Sequence, residues 1–262
     1  MIKIGISPVA FKIGPLTIGW YGIMIDLAIV SLVWWVMREI KRGARLNQDT
    51  VITAAVVGIP SGLFVSRLLH IIDQWGYYRM NLGELIGSEG LTIWGAVLGA
   101  TLGIWVYSKL SHLDFGYFLD VTAPGILLAQ SIGRVGCTLN GCCYGVATRL
   151  PWGIAYTNPA SFGYTDSILL ASGAGLHPVQ VYEIIYDLII FALLLKLRGR
   201  FKPDGSLFLI YLSFYALWRL FIDFIRPGTS FLFGLHQAQV ISIVVLFIAM
   251  TKLILRTRRV EA

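Results

Sequence analysis

Gly133-Arg134-Val135-Gly136-Cys137-Thr138-Leu139-Asn140-Gly141-Cys142-Cys143-Tyr144-Gly145 follows directly on an apolar run, 116–134, that is long enough to enter a bilayer as a helix. A guanidinium, an amide, three thiols and four glycines therefore crowd one membrane boundary. A permanent charge beside hydrocarbon is expensive and marks a pathway or a site, so the fold to look for is one that brings other polar groups to Arg134.

A helix that crosses the ~30 Å hydrocarbon layer needs about 20 apolar residues. Six further runs of this kind flank the first, at 17–37, 51–71, 91–109, 177–197, 206–226 and 236–255. With 56% hydrophobic and 13% charged residues among 262, the chain is too apolar for an ordinary soluble globule. The expectation is an all-α fold, a polytopic bundle of seven transmembrane helices forming a single integral-membrane domain over 1–262. Gly58, Pro60 and Gly62 interrupt the second run, and Pro124 and Gly125 the fourth; neighbouring helices can re-satisfy the backbone groups so freed. No signal-peptide pattern with a small-residue cleavage site precedes the first run, which reads as a retained span. The first 16 residues, with Pro8 and Pro15, read as a surface segment.

Lys and Arg are retained on the cytoplasmic side of a membrane. Arg38, Lys41, Arg42 and Arg45 follow the first run, Lys196, Arg198, Arg200 and Lys202 the fifth, and Lys252, Arg256, Arg258 and Arg259 end the seventh. Seven spans put all three clusters on one face, with the N-terminus outside and the C-terminus cytoplasmic. The net charge of +7 is then a topological bias, and no nucleic-acid partner is implied. The same topology leaves 134–176 outside as an extracytoplasmic loop region, the longest connection in the chain and so a place to expect function.

Arg134 reads either as a residue snorkelling at a helix end or as a phosphate clamp, since a guanidinium stays charged in an apolar site and forks onto phosphate oxygens. Its company favours the clamp: Arg67 lies deep in the second run, and Arg219 and Arg226 lie in or at the end of the sixth. Arg219 and Asp223 share a helix face at i, i+4, where an ion pair is the plain structural reading, and Tyr215 extends that stripe. His177-Pro178-Val179-Gln180-Val181-Tyr182-Glu183 opens the fifth run, with Pro178 suited to a first turn. Gln180 and Glu183 fall there near the positive end of the helix dipole, which alone would stabilise Glu183. Cys137, Cys142 and Cys143 lack the C-x-x-C pairing of a zinc site, so no metal is expected; a bridge from Cys137 to Cys142 or Cys143, or a role as small buried fillers, are the other readings.

These residues resemble the prolipoprotein diacylglyceryl transferase family. Asp120-x-x-Ala123-Pro124 leading through Gln130 to Gly133-Arg134-x-Gly136, continued by Asn140-Gly141 and Gly145, is similar to the family's signature. His177-Pro178-x-Gln180-x-Tyr182-Glu183 resembles its second block, and Tyr215-x-x-x-Arg219-x-x-x-Asp223-x-x-Arg226 its third, with Asp223 in place of the usual Glu. Trp20-Tyr21-Gly22 and the stretch from Gly62 to Arg67 also match, so the resemblance covers nearly the whole chain in order.

The resemblance implies a multi-pass enzyme of the bacterial inner or plasma membrane that moves the diacylglyceryl group of phosphatidylglycerol to the lipobox cysteine of a prolipoprotein. A thioether forms, glycerol phosphate leaves, and neither metal nor organic cofactor takes part. Arg134 and Arg219 would correspond to its essential arginines, with Tyr21 as a third catalytic position. Arg67, Asn140, Gly145, His177, Gln180, Glu183, Tyr215, Asp223 and Arg226 would line the substrate. The chain departs from the family at Trp94, where His is common, at Cys137, where Asn is usual, and at Cys142, where many members carry Glu; His177 or a Cys142 thiolate would have to stand in for a His base. Other readings are a diverged lipid transferase with a different acceptor or donor, a transporter, and a thiol redox protein. Paired broken helices and a C-x-x-C motif, the marks of the last two, are missing.

The three basic clusters generate a topology test. Cysteine labelling or reporter fusions should place 41–46 and the C-terminus in the cytoplasm and 146–170 outside; a C-terminus that labels from the outer side would overturn both the span count and the placement of the site.

Overall fold

The computed structural model describes residues 1–261 except Pro15, 87–92, 171–172 and Thr229, and it leaves undescribed the side chains of Glu84, Ile86, Ile93, Trp94 and 257–261. Seven long helices stand where the apolar runs do: α1 Trp20–Lys41, α2 Gln48–Asp73, α3 Ile93–Leu110, α4 Phe115–Asn140, α5 Val179–Leu197, α6 Ser206–Ile222 and α7 Gln237–Glu261. Five of them, α1, α2, α4, α7 and α6 with the single turn that continues it to Ile225, are long and apolar enough to cross a membrane. α5 differs because Glu183, Asp187 and Lys196 lie within its 19 residues.

Two compact units divide the chain, Val36–Phe118 on one hand and Met1–Trp35 with Leu119–Ala262 on the other. In the first, α2 and α3 run in opposite directions and meet along glycines. Gly58, Gly62 and Ser66 on α2 and Gly95, Gly99 and Gly103 on α3 recur every fourth residue, so each set makes one smooth stripe. A Cβ on Gly95 would lie 2.4 Å from Ser66 Cα, and one on Gly99 2.4 Å from the Ser61 carbonyl oxygen. Such approach lets backbones supply the packing contact that lipid cannot drive by exclusion. The glycines and proline read as interruptions therefore lie in an unbroken helix: Pro60 is absorbed, and Ser61 Oγ donates to the Val57 carbonyl at 2.8 Å and to the Gly58 carbonyl at 3.1 Å.

In the second unit α4, α5 and α6 enclose an apolar core of Ala123, Leu127, Ile190, Leu194, Leu207, Ile210 and Tyr211. Asp120, inside α4, accepts hydrogen bonds from the Gly205 and Phe208 amides, both at 2.8 Å, and so caps the start of α6 from another helix. Gly125 lets Trp35 lie against α4, where the Trp35 indole donates to the Val121 carbonyl at 3.0 Å.

The all-α expectation needs one correction. The first residues, expected as a surface segment, form a largely exposed strand, β1 Ile2–Ile4, and a hairpin of β2 Val9–Ile13 and β3 Leu16–Gly19. Three short strands between α4 and α5, β4 Ala147–Thr148, β5 Ile154–Tyr156 and β6 Gly175–Leu176, join β1 in a sheet of order β1-β5-β6-β4. β1 pairs parallel with β5, Ile2 opposite Ile154, over a small core of Ile154, Tyr156 and Leu176. A last hairpin, β7 Ser230–Leu232 and β8 Leu235–His236, precedes α7. Two- and three-residue strands carry too few side chains to display an alternating pattern. α4 also continues past the expected end at 134, taking Arg134, Cys137 and Asn140 with it as helical residues.

The glycine stripes generate a packing test. Gly99→Leu should lower the melting temperature of the detergent-purified protein, because its side chain has no space against Ser61 and Val65, whereas Leu98→Ala on the exposed face should change it little. Equal melting of Gly99→Leu and wild type would show that the two helices do not touch along this stripe.

Candidate functional site

One face of α5 carries Gln180, Glu183, Asp187, Ile190 and Leu194, all buried and spaced by three or four residues. Its far half, Ile190 and Leu194, belongs to the apolar core. Its near half is polar, and there Glu183 gathers arginines from three directions. Arg134 on α4 donates to it from Nη2 to Oε1 at 3.2 Å, and its Nε makes an ion-pair contact with Oε2 at 2.7 Å. Arg219 on α6 reaches Oε1 at 3.6 Å and Arg226, just past that helix, at 3.5 Å.

The expected helix-face ion pair is present, with Arg219 Nη2 at 3.2 Å from Asp223 Oδ1. Asp223 also meets His236 of β8, Oδ2 to Nδ1 at 2.9 Å. Sequence reading missed His236, because a single histidine in a short hairpin has no spacing that ties it to Asp223. Within this network three guanidiniums face two carboxylates, which leaves one positive charge. About fifteen N–H donors meet about eight acceptor positions, so donors remain for an anion even with Arg134 held by Glu183. The side chains of Glu183 and Asp223 are 5% and 6% exposed, and those of the arginines 14–23%, so the cations keep an open side.

The loop after α4 is sewn over this cluster. Gly141 and Cys142 amides both donate to the Cys137 carbonyl, and Gly141 and Cys143 take left-handed backbone, at φ 77° and 63°, which turns the chain back on the helix end. Gln180, fully buried, donates to the Cys142 carbonyl at 2.6 Å and to the Tyr156 hydroxyl at 3.3 Å. Gly145 donates to the His177 carbonyl, and Val146 to that of Ile225. A Cβ on Gly145 would stand 2.5 Å from the Ile225 carbonyl oxygen and 2.7 Å from His177 Cβ, so only glycine lets these three segments meet.

Other expected residues lie around the same cluster. Tyr21 packs on Gly136 at the site's α1 side, within electrostatic reach of Arg134 and the three cysteines. Asn140 ends α4 with its amide 3.6 Å from Cys142 Sγ. Tyr215 lies one turn before Arg219, against Tyr211. His177 Nδ1 faces the Tyr182 hydroxyl at 3.3 Å, and that oxygen accepts from the Trp152 indole at 2.8 Å. Burial pushes the His177 imidazole below its ordinary value. On the loop, burial and then the 2.6 Å bond to Asp166 push the Tyr144 phenol up to about 12. Arg67 belongs to the other unit, where it donates to the Leu85 carbonyl at 3.4 Å and lies over the Tyr78 ring. The side chain of Trp94 falls outside the described residues.

Residues 8–255 match the family model described as prolipoprotein diacylglyceryl transferase. A protein of Dehalococcoides mccartyi named phosphatidylglycerol--prolipoprotein diacylglyceryl transferase is 49% identical, over 99% of this chain and 97% of its own length. Proteins of the same name from Clostridioides difficile and Bacillus licheniformis are 33% and 34% identical, covering 90% and 93% of this chain and 90% of their own lengths.

Glu183→Gln keeps the shape of the side chain and removes the charge on which three arginines converge. Opening one side of a buried ion pair costs on the order of 3 kcal/mol, so the purified variant should melt well below wild type. Unchanged melting would mean that the arginines are held by something other than this carboxylate.

Proposed function

The chain belongs to the prolipoprotein diacylglyceryl transferase family, and from that premise we propose that it transfers the diacylglyceryl group of phosphatidylglycerol to the lipobox cysteine of prolipoproteins. The observation that carries this reading is the arginine network on Glu183, with one positive charge and unused N–H donors at the mouth of an otherwise apolar bundle. In the reaction a C–S bond forms at the diacylglyceryl carbon while the C–O bond to phosphate breaks. The leaving glycerol phosphate takes the electron pair, and the proton lost by the thiol ends on that phosphate. Charge therefore grows on the phosphate in the transition state, where fixed guanidiniums stabilise it most.

Roles follow from position. Arg219 and Arg226 present donors to the phosphate. Arg134, locked on Glu183, fixes the field and keeps a further N–H free. Tyr21 and Tyr215 supply hydroxyls for the glycerol, and Gln180, Asn140, Gly145 and His177 shape the loop over the headgroup. Asp223 orients Arg219. The acceptor thiol, with an ordinary pKa of about 8.5, is held near positive charge until it loses its proton, and His177 is the acceptor available at working pH. Seven spans in a bacterial plasma membrane, the N-terminus and 134–176 outside, would put this chemistry where lipobox cysteines emerge. The basic clusters after α1, α5 and α7 support that orientation. Trp94 favours a second reading, a diverged acceptor or donor for the same lipid-binding bundle, because indole accepts no proton from a thiol.

The test is purified protein with labelled phosphatidylglycerol and a lipobox peptide, with a cysteine-to-serine peptide as control. Thioether product is expected. Arg134→Lys and Arg219→Lys should each lose about 100-fold in turnover, since a lysine keeps the charge and loses the fork, and Trp94→Phe should retain most turnover. Wild-type turnover in both lysine variants would remove the arginine mechanism. An inert wild type rescued by Trp94→His would favour the diverged reading.

A further inference from the structure

The turn that ends α4 does something the spacing of the cysteines conceals. Cys137, Cys142 and Cys143 are all free thiols, and their sulfur atoms lie within 4.8 Å of one another, Cys137 buried and the other two partly so. In a tetrahedral or trigonal site with Zn–S bonds of about 2.3 Å, neighbouring sulfurs stand about 3.8–4.0 Å apart. The cluster needs at most about 1 Å of closure to reach that geometry. Adjacent cysteines usually point apart. Here the left-handed backbone at Cys143 turns its side chain beside the other two, a conformation that a non-glycine residue adopts only when its surroundings hold it.

The surroundings also match the charge that such a centre would carry. Three thiolates around a divalent ion leave one negative charge, and the arginine network alongside has one positive charge in excess. N–H groups aim at the sulfurs as they do in occupied sites: Asn140 Nδ2 lies 3.6 Å from Cys142 Sγ, and Arg134 Nη1 4.0 Å from Cys137 Sγ.

We propose that Cys137, Cys142 and Cys143 form a binding site for one soft, thiophilic metal ion of the zinc group, with a fourth position open to water. Binding expels the thiol protons, so affinity falls as pH falls. A bound ion also pins the loop to the end of α4, which stabilises the folded chain by mass action. The site shares Arg134 and Asn140 with the arginine network beside it.

The test uses the full-length protein in detergent under a phosphine reductant, titrated with cadmium. One ion per chain should bind, with a sulfur-to-metal charge-transfer band of three-thiolate intensity and a rise in melting temperature. Cys143→Ser, at a partly buried position, should cut the band to two-thiolate intensity and weaken binding by about 100-fold, and Asn140→Ala should weaken it by about 10-fold. Melting of each variant without metal checks that it folds, and should either fail, Cys142→Ser takes its place. Absence of saturable binding by the wild type, or binding that is unchanged in folded cysteine variants, would overturn the proposal.

Discussion

The carboxylate of Glu183 is the group on which the polar half of this protein depends. Three arginines from two stretches of chain, α4 and the end of α6, converge on it, and each would be costly in an apolar bundle without a counter-charge. The position of Glu183 is itself set by the inward stripe of α5, whose apolar end is fixed in the core. Packing at one end of a helix thereby aims chemistry at the other. The cluster is asymmetric by design of its composition: too few acids for its bases, so its resting state already leans toward an anion. That bias suits phosphate better than a neutral headgroup.

Helix placement was legible because seven apolar runs of the right length recur between basic clusters, and all seven long helices lie on them. The arginine cluster was legible in part. The i, i+4 spacing of Arg219 and Asp223 and the run from His177 to Glu183 carry local geometry that a helix must obey. What joins them does not. Nothing in the spacing of Arg134, 49 residues from Glu183, announces a hydrogen bond between the two. His236 has no local partner, and the short strands have too few residues for a period. The glycines of α2 were visible but misread, because a glycine that weakens a helix in water strengthens a helix pair in lipid.

Asp120 illustrates a second kind of concealment. A carboxylate inside an apolar run reads naturally as a site residue, and the motif it opens resembles a catalytic signature. Its oxygens instead accept from the first amides of α6, groups that have no partner within their own helix. The residue thus secures the start of the helix that carries Tyr215 and Arg219, and it acts on the site only by holding that helix at its other end.

The parallel pairing of β1 with β5 places an unusual demand on assembly. Thr157 and Ile4 are hydrogen-bonded across 153 residues of chain, so β1 must wait until four of the seven long helices have been synthesised before its partner exists. Contacts of such range close late. Until then Ile154, Tyr156 and Leu176 lack the cover that Ile4 of β1 supplies. The sheet is thus a clasp that can close only in mid-synthesis, with three of the seven long helices still to follow it.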